Sequence, residues 1–177
     1  IFNFPWDIGK PVDHREQFVK RVVAIAGDSV SLKDAQLYVN GKAVQEKNYC
    51  IYNYLVKLND SINDSLFLLK YNLSAEGRIS DEGHFSFYIS DSLAKVLSTS
   101  KGVTEVKKQI DANGNYDDTV FPYNASFAWN ADNYGTLYIP KENDTLKIDT
   151  SNYFLYDRIL SIYEKMPPSI TLTTLAI

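Results

Sequence analysis

The chain holds a single cysteine, Cys50, so no internal disulfide can brace it, and this residue reads as a buried small hydrophobe. Its two histidines, His14 and His84, lie far apart and have no Cys or His at metal-ligand spacing, so they read as surface or packing residues and no metal is implied. Basic residues are not clustered: 18 Lys and Arg stand against 22 Asp and Glu, a net charge of −4. Nucleic acid is therefore not an expected partner, because phosphate binding needs concentrated positive charge. No run approaches the roughly 18 apolar residues of a membrane span, and no signal-peptide pattern is present. Phosphate-cradling glycine motifs, a Gly-x-Ser-x-Gly elbow and a dinucleotide fingerprint are absent too, so no cofactor is implied. Asp111, Asn113, Asn115 and Asp117 alternate like the start of a calcium loop. Such a loop needs Gly at its sixth position and a bidentate Glu at its twelfth, and here those are Tyr116 and Pro122, so a solvated turn is the better reading.

What is present is the composition of a folded, β-rich protein: 45% hydrophobic residues and 14% aromatic, with 13 tyrosines. A chain of 177 residues can form one domain with a good core or two small ones. Residues 1–4 alternate as a strand and stop at Pro5. A polar loop over 6–16 follows, with Trp6 read as a core plug, and then strands are expected at 17–25 and 28–33. Asn40-Gly41 between two β-forming runs (36–39 and 42–44) signals a hairpin with a type I′ turn. From there the pattern changes to β-α-β-α-β. A strand over 49–58 precedes a helix capped by Asp60 or Ser61 that runs to Tyr71, with Ile62, Leu66, Leu69 and Leu73 at helical spacing. A strand over 84–89 precedes a helix capped by Ser90 or Asp91, carrying Leu93, Val96 and Leu97 and closing near Gly102. A third strand is expected at 103–110. A loop at 111–118 and an aromatic segment from Phe121 to Trp129, which a membrane interface would also suit, lead into strands at 135–140 and 146–148. Thr150 or Ser151 then caps a helix over about 151–165 with a broad apolar face. Pro167-Pro168 stops it, and 169–177 is a last β-type run.

The fold class expected is mixed α+β and β-rich: an antiparallel β core from 1–46 with 119–177, interrupted by an inserted β-α-β-α-β module over 47–118.

The stretch with chemical content is Phe18 to Val30 (FVKRVVAIAGDSV). Val19, Val22, Val23 and Ile25 favour an extended backbone, and Gly27-Asp28 is a turn signal. Lys20 is thus expected on a strand among apolar neighbours, where loss of water weakens its preference for the charged form. A lysine that is neutral can take a proton from a hydroxyl nucleophile. The plain alternative is a strand lysine with its head in water, which is the commoner arrangement. Arg21 points to the opposite side of such a strand, where an ion pair suits it better than catalysis. Asp28 reads as a turn residue.

These residues carry a resemblance. Val19 to Val30 resembles the lysine box of type I signal peptidases, membrane-bound Ser/Lys proteases, with Ala26 where that family usually has Pro. Lys10-Pro11-Val12-Asp13-His14-Arg15-Glu16 resembles the lead-in of the Bacteroidetes branch. Ile1 to Pro5, Trp129-Asn130-Ala131-Asp132-Asn133-Tyr134-Gly135, Tyr138-Ile139-Pro140-Lys141 and the helix ending Tyr156-Asp157-Arg158-Ile159 extend the likeness, which is weak from about Gln45 to Asp118. The resemblance implies a β-fold, Lys20 as general base, signal-peptide-bearing preproteins as substrates, and an inner-membrane protein whose soluble domain faces the periplasm. The family's Ser-Met-x-Pro and Gly-Asp-Asn-Arg boxes do not occur here. Ser29 and Ser31 follow the turn in the wrong context to be nucleophiles, so this chain alone is expected to be inactive. It opens on Ile1, and its only methionine is Met166, so an upstream segment including a membrane anchor is expected. Two other readings remain open: a catalytically inactive relative that serves as a binding module, and an unrelated mixed domain in which the lysine box is coincidence.

Overall fold

The structure, a computed structural model, describes residues 1–5, 7–45, 50–59, 62–74, 84–163 and 174–176, with backbone only for Tyr163 and 174–176. Trp6, the capping positions Asp60 and Ser61, Pro167-Pro168 and most of the last β-type run lie outside the described residues. The chain is mixed and strand-rich, with antiparallel pairing in each ladder whose register is defined. It divides into two compact units, residues 1–30 with 137–177, and residues 31–136.

The unit of residues 31–136 holds the larger core. β3 (Ser29–Lys33) enters it, followed by β4 (Gln36–Val39) and β5 (Lys42–Ala43). β4 and β5 form the expected hairpin, turning at Asn40 and Gly41, whose φ values of 52° and 74° are those of a type I′ turn. With β9 (Tyr134–Tyr138) these strands make a sheet of order β5-β4-β3-β9. A second sheet, of order β7-β6-β8, is built from β6 (Tyr52–Leu58), β7 (His84–Ile89) and β8 (Val103–Lys108). Two helices separate its strands in sequence, α1 (Asp64–Tyr71) and α2 (Asp91–Ser98), giving the β-α-β-α-β order read from the sequence.

Strand periodicity puts Tyr54, Val56, Leu58, Phe85, Phe87 and Ile89 on one face, where they are buried with Phe67 of α1 and with Ala94 and Leu97 of α2. Asn63, not the expected Asp60 or Ser61, caps α1 by accepting the Leu66 N–H, and Ser90 caps α2 by accepting that of Leu93. Lys108 Nζ lies 3.3 Å from Asp91 Oδ1 and 3.3 Å above the Tyr52 ring, and the Tyr54 hydroxyl donates to the same carboxylate at 2.7 Å. These contacts tie the first turn of α2 to β6 and β8. At Gly102 φ is +88°, and a Cβ there would fall 1.7 Å from Ile62 Cδ1, so only glycine fits after α2.

The buried side of α1 differs in part from the expected one: Ile62 and Leu73 pack against the core, the other two residues of the expected set do not. Leu66 and Leu69 are 66% and 79% exposed, whereas Phe67 is buried beside Tyr71, ring centroids 4.9 Å apart. Phe67 removes more apolar area from water than either leucine. On α2, Val96 is exposed while Ala94 and Leu97 face the core. Cys50 is half-buried, less enclosed than expected.

The unit of residues 1–30 and 137–177 is smaller. β1 (Phe2–Asn3) pairs antiparallel with β2 (Gln17–Phe18), and β10 (Thr145–Lys147) with β11 (Thr174–Ala176). α3 (Tyr153–Arg158) continues as a π-helical turn, Ile159–Tyr163. Tyr156 and Leu160 bury with Ile148 to form the core of this unit. Its helix starts at Asn152, after an Asp149 turn that accepts the Ser151 N–H, rather than at a Thr150 or Ser151 cap.

Candidate functional site

The segment around Lys20 departs from the strand expected over 17–25. Regular pairing ends at Phe18, and residues 19–25 carry no strand. Val19, Val22, Val23 and Ile25 are 52 to 77% exposed. Lys20 is exposed as well, and its Nζ has no hydrogen-bond or ion-pair partner among the described residues. The β-forming composition is there, but among the described residues no neighbouring strand lies against it, and β-branched residues order only on a paired, half-buried surface. Arg21 is exposed, and Ser29 and Ser31 are half-buried in β3, beyond the turn.

Both ends of this segment are fixed. On the near side, the Phe18 ring packs at 6.2 Å from Phe2 and 4.9 Å from Phe4, between centroids. Phe4 N–H donates to Glu16 O at 2.7 Å, and the loop between is held by a Lys10–Asp7 ion pair and by Arg15 Nε donating to Lys10 O. On the far side, Asp28 acts as the turn residue the sequence suggested. Its carboxylate accepts the Ile25 N–H at 2.9 Å and its own N–H donates to Ile25 O at 3.0 Å. Gly27 has φ +93°, the left-handed region where glycine is favoured. Gly27 N–H donates to Ile139 O at 2.7 Å and Ile139 N–H returns to Asp28 O at 2.8 Å, so the turn is bracketed by Ile139. Next to Ile139, the Asp144 carboxylate accepts from the Tyr138 hydroxyl and the Lys141 N–H. These bonds hold its acid below the ordinary carboxylate range and push the Tyr138 phenol up. Tyr156 donates to Tyr138 O, and Arg158 Nη2 donates to Pro5 O at 2.6 Å.

The run from Trp129 to Gly135, in the other unit, has a structural part that residue patterning did not reveal. Asn130 and Asn133 are almost fully buried, unusual for asparagine. Asn130 Nδ2 donates to Ala112 O and Asn115 O, and its Oδ1 accepts the N–H groups of Asp132 and Asn133. Asn133 Nδ2 donates to Asp111 O, and its Oδ1 accepts the Asp34 N–H. The loop at 111–118 is therefore a turn pinned by two asparagine side chains, and Asp117 spends its carboxylate on the Thr119 N–H and hydroxyl. Among the described residues no group of three or more His, Cys, Asp and Glu is placed to hold a metal. The Trp129 indole packs at a tilt against Tyr134, and a Cβ on Gly135 would fall 2.5 Å from its ring atoms, so the glycine makes room for the ring. Burial pushes the Tyr134 phenol up. The signal for this hub was the pair of asparagines three apart between aromatics, which composition alone reads as a loop.

His14 is exposed near Asp13 and His84 is half-buried in β7. Among the described residues, no helix is long and apolar enough to cross a membrane.

Residues 1–85 match the family described as signal peptidase, peptidase S26. Over 31 residues the chain is 52% identical to signal peptidase I of Bacillus amyloliquefaciens, a match covering 18% of this chain and 17% of that protein. The chain thus spans less than a fifth of the curated relative it matches. No solved structure matches it.

Proposed function

We propose that the chain is the part of a type I signal-peptidase-like endopeptidase that contains the lysine box, and that Lys20 is the general base of a Ser/Lys pair. The observation that carries this reading is that Lys20-Arg21, the apolar run to Ala26 and the Gly27-Asp28 turn fall together inside residues 1–85, which match the peptidase family. The fixed turn at one end and the aromatic-locked β1–β2 pair at the other fit a segment whose position matters for chemistry. In the full protein a serine upstream of Ile1 would attack the peptide carbonyl of a preprotein while Lys20, neutral and shielded from water, takes the hydroxyl proton. Preproteins bearing signal peptides would be the substrates. The parent would be held in the bacterial inner membrane by an anchor outside this chain, its soluble domain facing the periplasm. Residues 47–118, with a sheet and core of their own, would be an accessory module inserted in the peptidase core.

One observation favours a second reading, in which the protein is a binding module that kept the scaffold: Lys20 is exposed and unpartnered among the described residues. The reading frame on either side separates the two. Ser-Met-x-Pro upstream and Gly-Asp-Asn-Arg downstream are expected of the peptidase. An anchor without that serine would overturn it and leave Lys20 a relic.

A further inference from the structure

We propose that α3 braces the run that carries Lys20, with Arg158 and Tyr156 as positioning residues that hold its two ends; the catalytic consequence rests on the peptidase reading, and the brace itself does not. Residues 19–25 carry no strand, so where Lys20 sits depends on how the run is held before and after it. On the near side the Arg158 guanidinium donates to Pro5 O at 2.6 Å. The neighbouring Phe4 donates its N–H to Glu16 O at 2.7 Å, and its ring lies 4.9 Å from that of Phe18, the second residue before Lys20. On the far side the Tyr156 hydroxyl donates to Tyr138 O at 3.1 Å. The neighbouring Ile139 bonds the Gly27-Asp28 turn twice, accepting from the Gly27 N–H at 2.7 Å and donating to Asp28 O at 2.8 Å.

The helix is suited to reach both ends at once. Tyr156 and Arg158 are two positions apart, about 200° around a helix of 3.6 residues per turn, so their side chains leave from nearly opposite sides. Tyr156 is buried with Ile148 and Leu160, which seats the helix on the core of its own unit. Arg158 is half-buried at the last position of α3, and its bond to the Pro5 carbonyl is charge-assisted, roughly twice as strong as a neutral one. Each side chain thus ends one residue away from the backbone bonds that anchor the run. No α3 side chain has to touch Lys20, because the effect passes through those anchors. A proton acceptor gains from such bracing, since a misplacement of about 1 Å costs on the order of 100-fold in rate.

Two conservative substitutions in the full-length protein separate the ends. Tyr156→Phe keeps the buried ring and removes the bond to Tyr138 O, and Arg158→Met keeps an unbranched stem and removes the bond to Pro5 O. Tyr156→Phe is expected to speed amide exchange at Gly27 and Ile139 at least about fivefold and to leave Phe4 unchanged, and Arg158→Met to do the reverse. A general loss of stability would move both ends together. Cleavage of a preprotein is expected to lose at least about tenfold in kcat in either variant, with KM within about twofold of the parent. Exchange that rises equally at both ends, or at neither, would overturn the brace. The expected exchange pattern with kcat unchanged would overturn the positioning of Lys20. A parent protein that leaves preproteins intact would defeat the peptidase reading instead, and the exchange pattern alone would then decide the brace.

Discussion

Asn133 shows how much a single polar side chain can hold at once. It is buried, its amide spans from Asp111 O to the Asp34 N–H, and its own N–H is taken by Asn130. Asn133→Ala would remove the side-chain partner of the Asp111 carbonyl and of the Asp34 N–H. The expected loss is about 1–3 kcal/mol, from two hydrogen bonds lost at about 0.5–1.5 kcal/mol each, read as a lowered urea midpoint. An unchanged midpoint would mean that water replaces the asparagine. At this scale the sequence was legible wherever backbone geometry picks the residue. Gly27-Asp28 and Asn40-Gly41 turn where their residue types said they would, because left-handed φ and short side-chain caps are local demands. Asn130 and Asn133 were not legible as a hub, since the groups they hold outside their own turn lie 15 to 99 residues away in sequence.

Elements were read correctly where they have neighbours. The strands β6, β7 and β8, with α1 and α2 between them, form where periodicity placed them, because each has a partner to bury its apolar face against. The strand expected through Ile25 ends at Phe18 although Val19 to Ile25 keep their β-forming character. Propensity reports fitness for a paired surface and not the presence of the partner. For α1 the helix was legible and its inward side was not, because three leucines and a phenylalanine compete within two turns and core volume decides among them. Phe67→Ala is expected to cost about 3–5 kcal/mol and Leu69→Ala under about 0.5 kcal/mol, measured by chemical denaturation. A larger loss at Leu69 than at Phe67 would restore the side read from the sequence.

Over the whole molecule, the mildly acidic charge is partly committed to local caps. Asp117, Asp144 and Asp149 are held below the ordinary carboxylate range, mainly by the hydroxyls of Thr119, Tyr138 and Ser151. A carboxyl whose folded value is depressed adds stability at neutral pH that is lost as acid protonates it. The thermal midpoint is therefore expected to be level from pH 7 to 5 and to fall below about pH 4, the ordinary carboxylate value, with the fall reduced in Asp144→Asn. A midpoint that rises on acidification through that window would contradict this. At this scale the β-rich, mixed class was legible from aromatic and β-branched content, and the β-α-β-α-β order from alternating periods. The two compact units divide near residues 30 and 137, a boundary set by long-range contacts that no composition shift marks.

The central claim is that Lys20 takes the nucleophile's proton. It is tested most directly by preprotein cleavage with the full-length protein and its Lys20→Ala variant, with circular dichroism to confirm that both are folded. The account expects the signal peptide to be removed by the parent protein and kcat to fall at least about 100-fold in the variant, the scale of a lost general base. Cleavage by a folded Lys20→Ala protein at a rate close to that of the parent would contradict it.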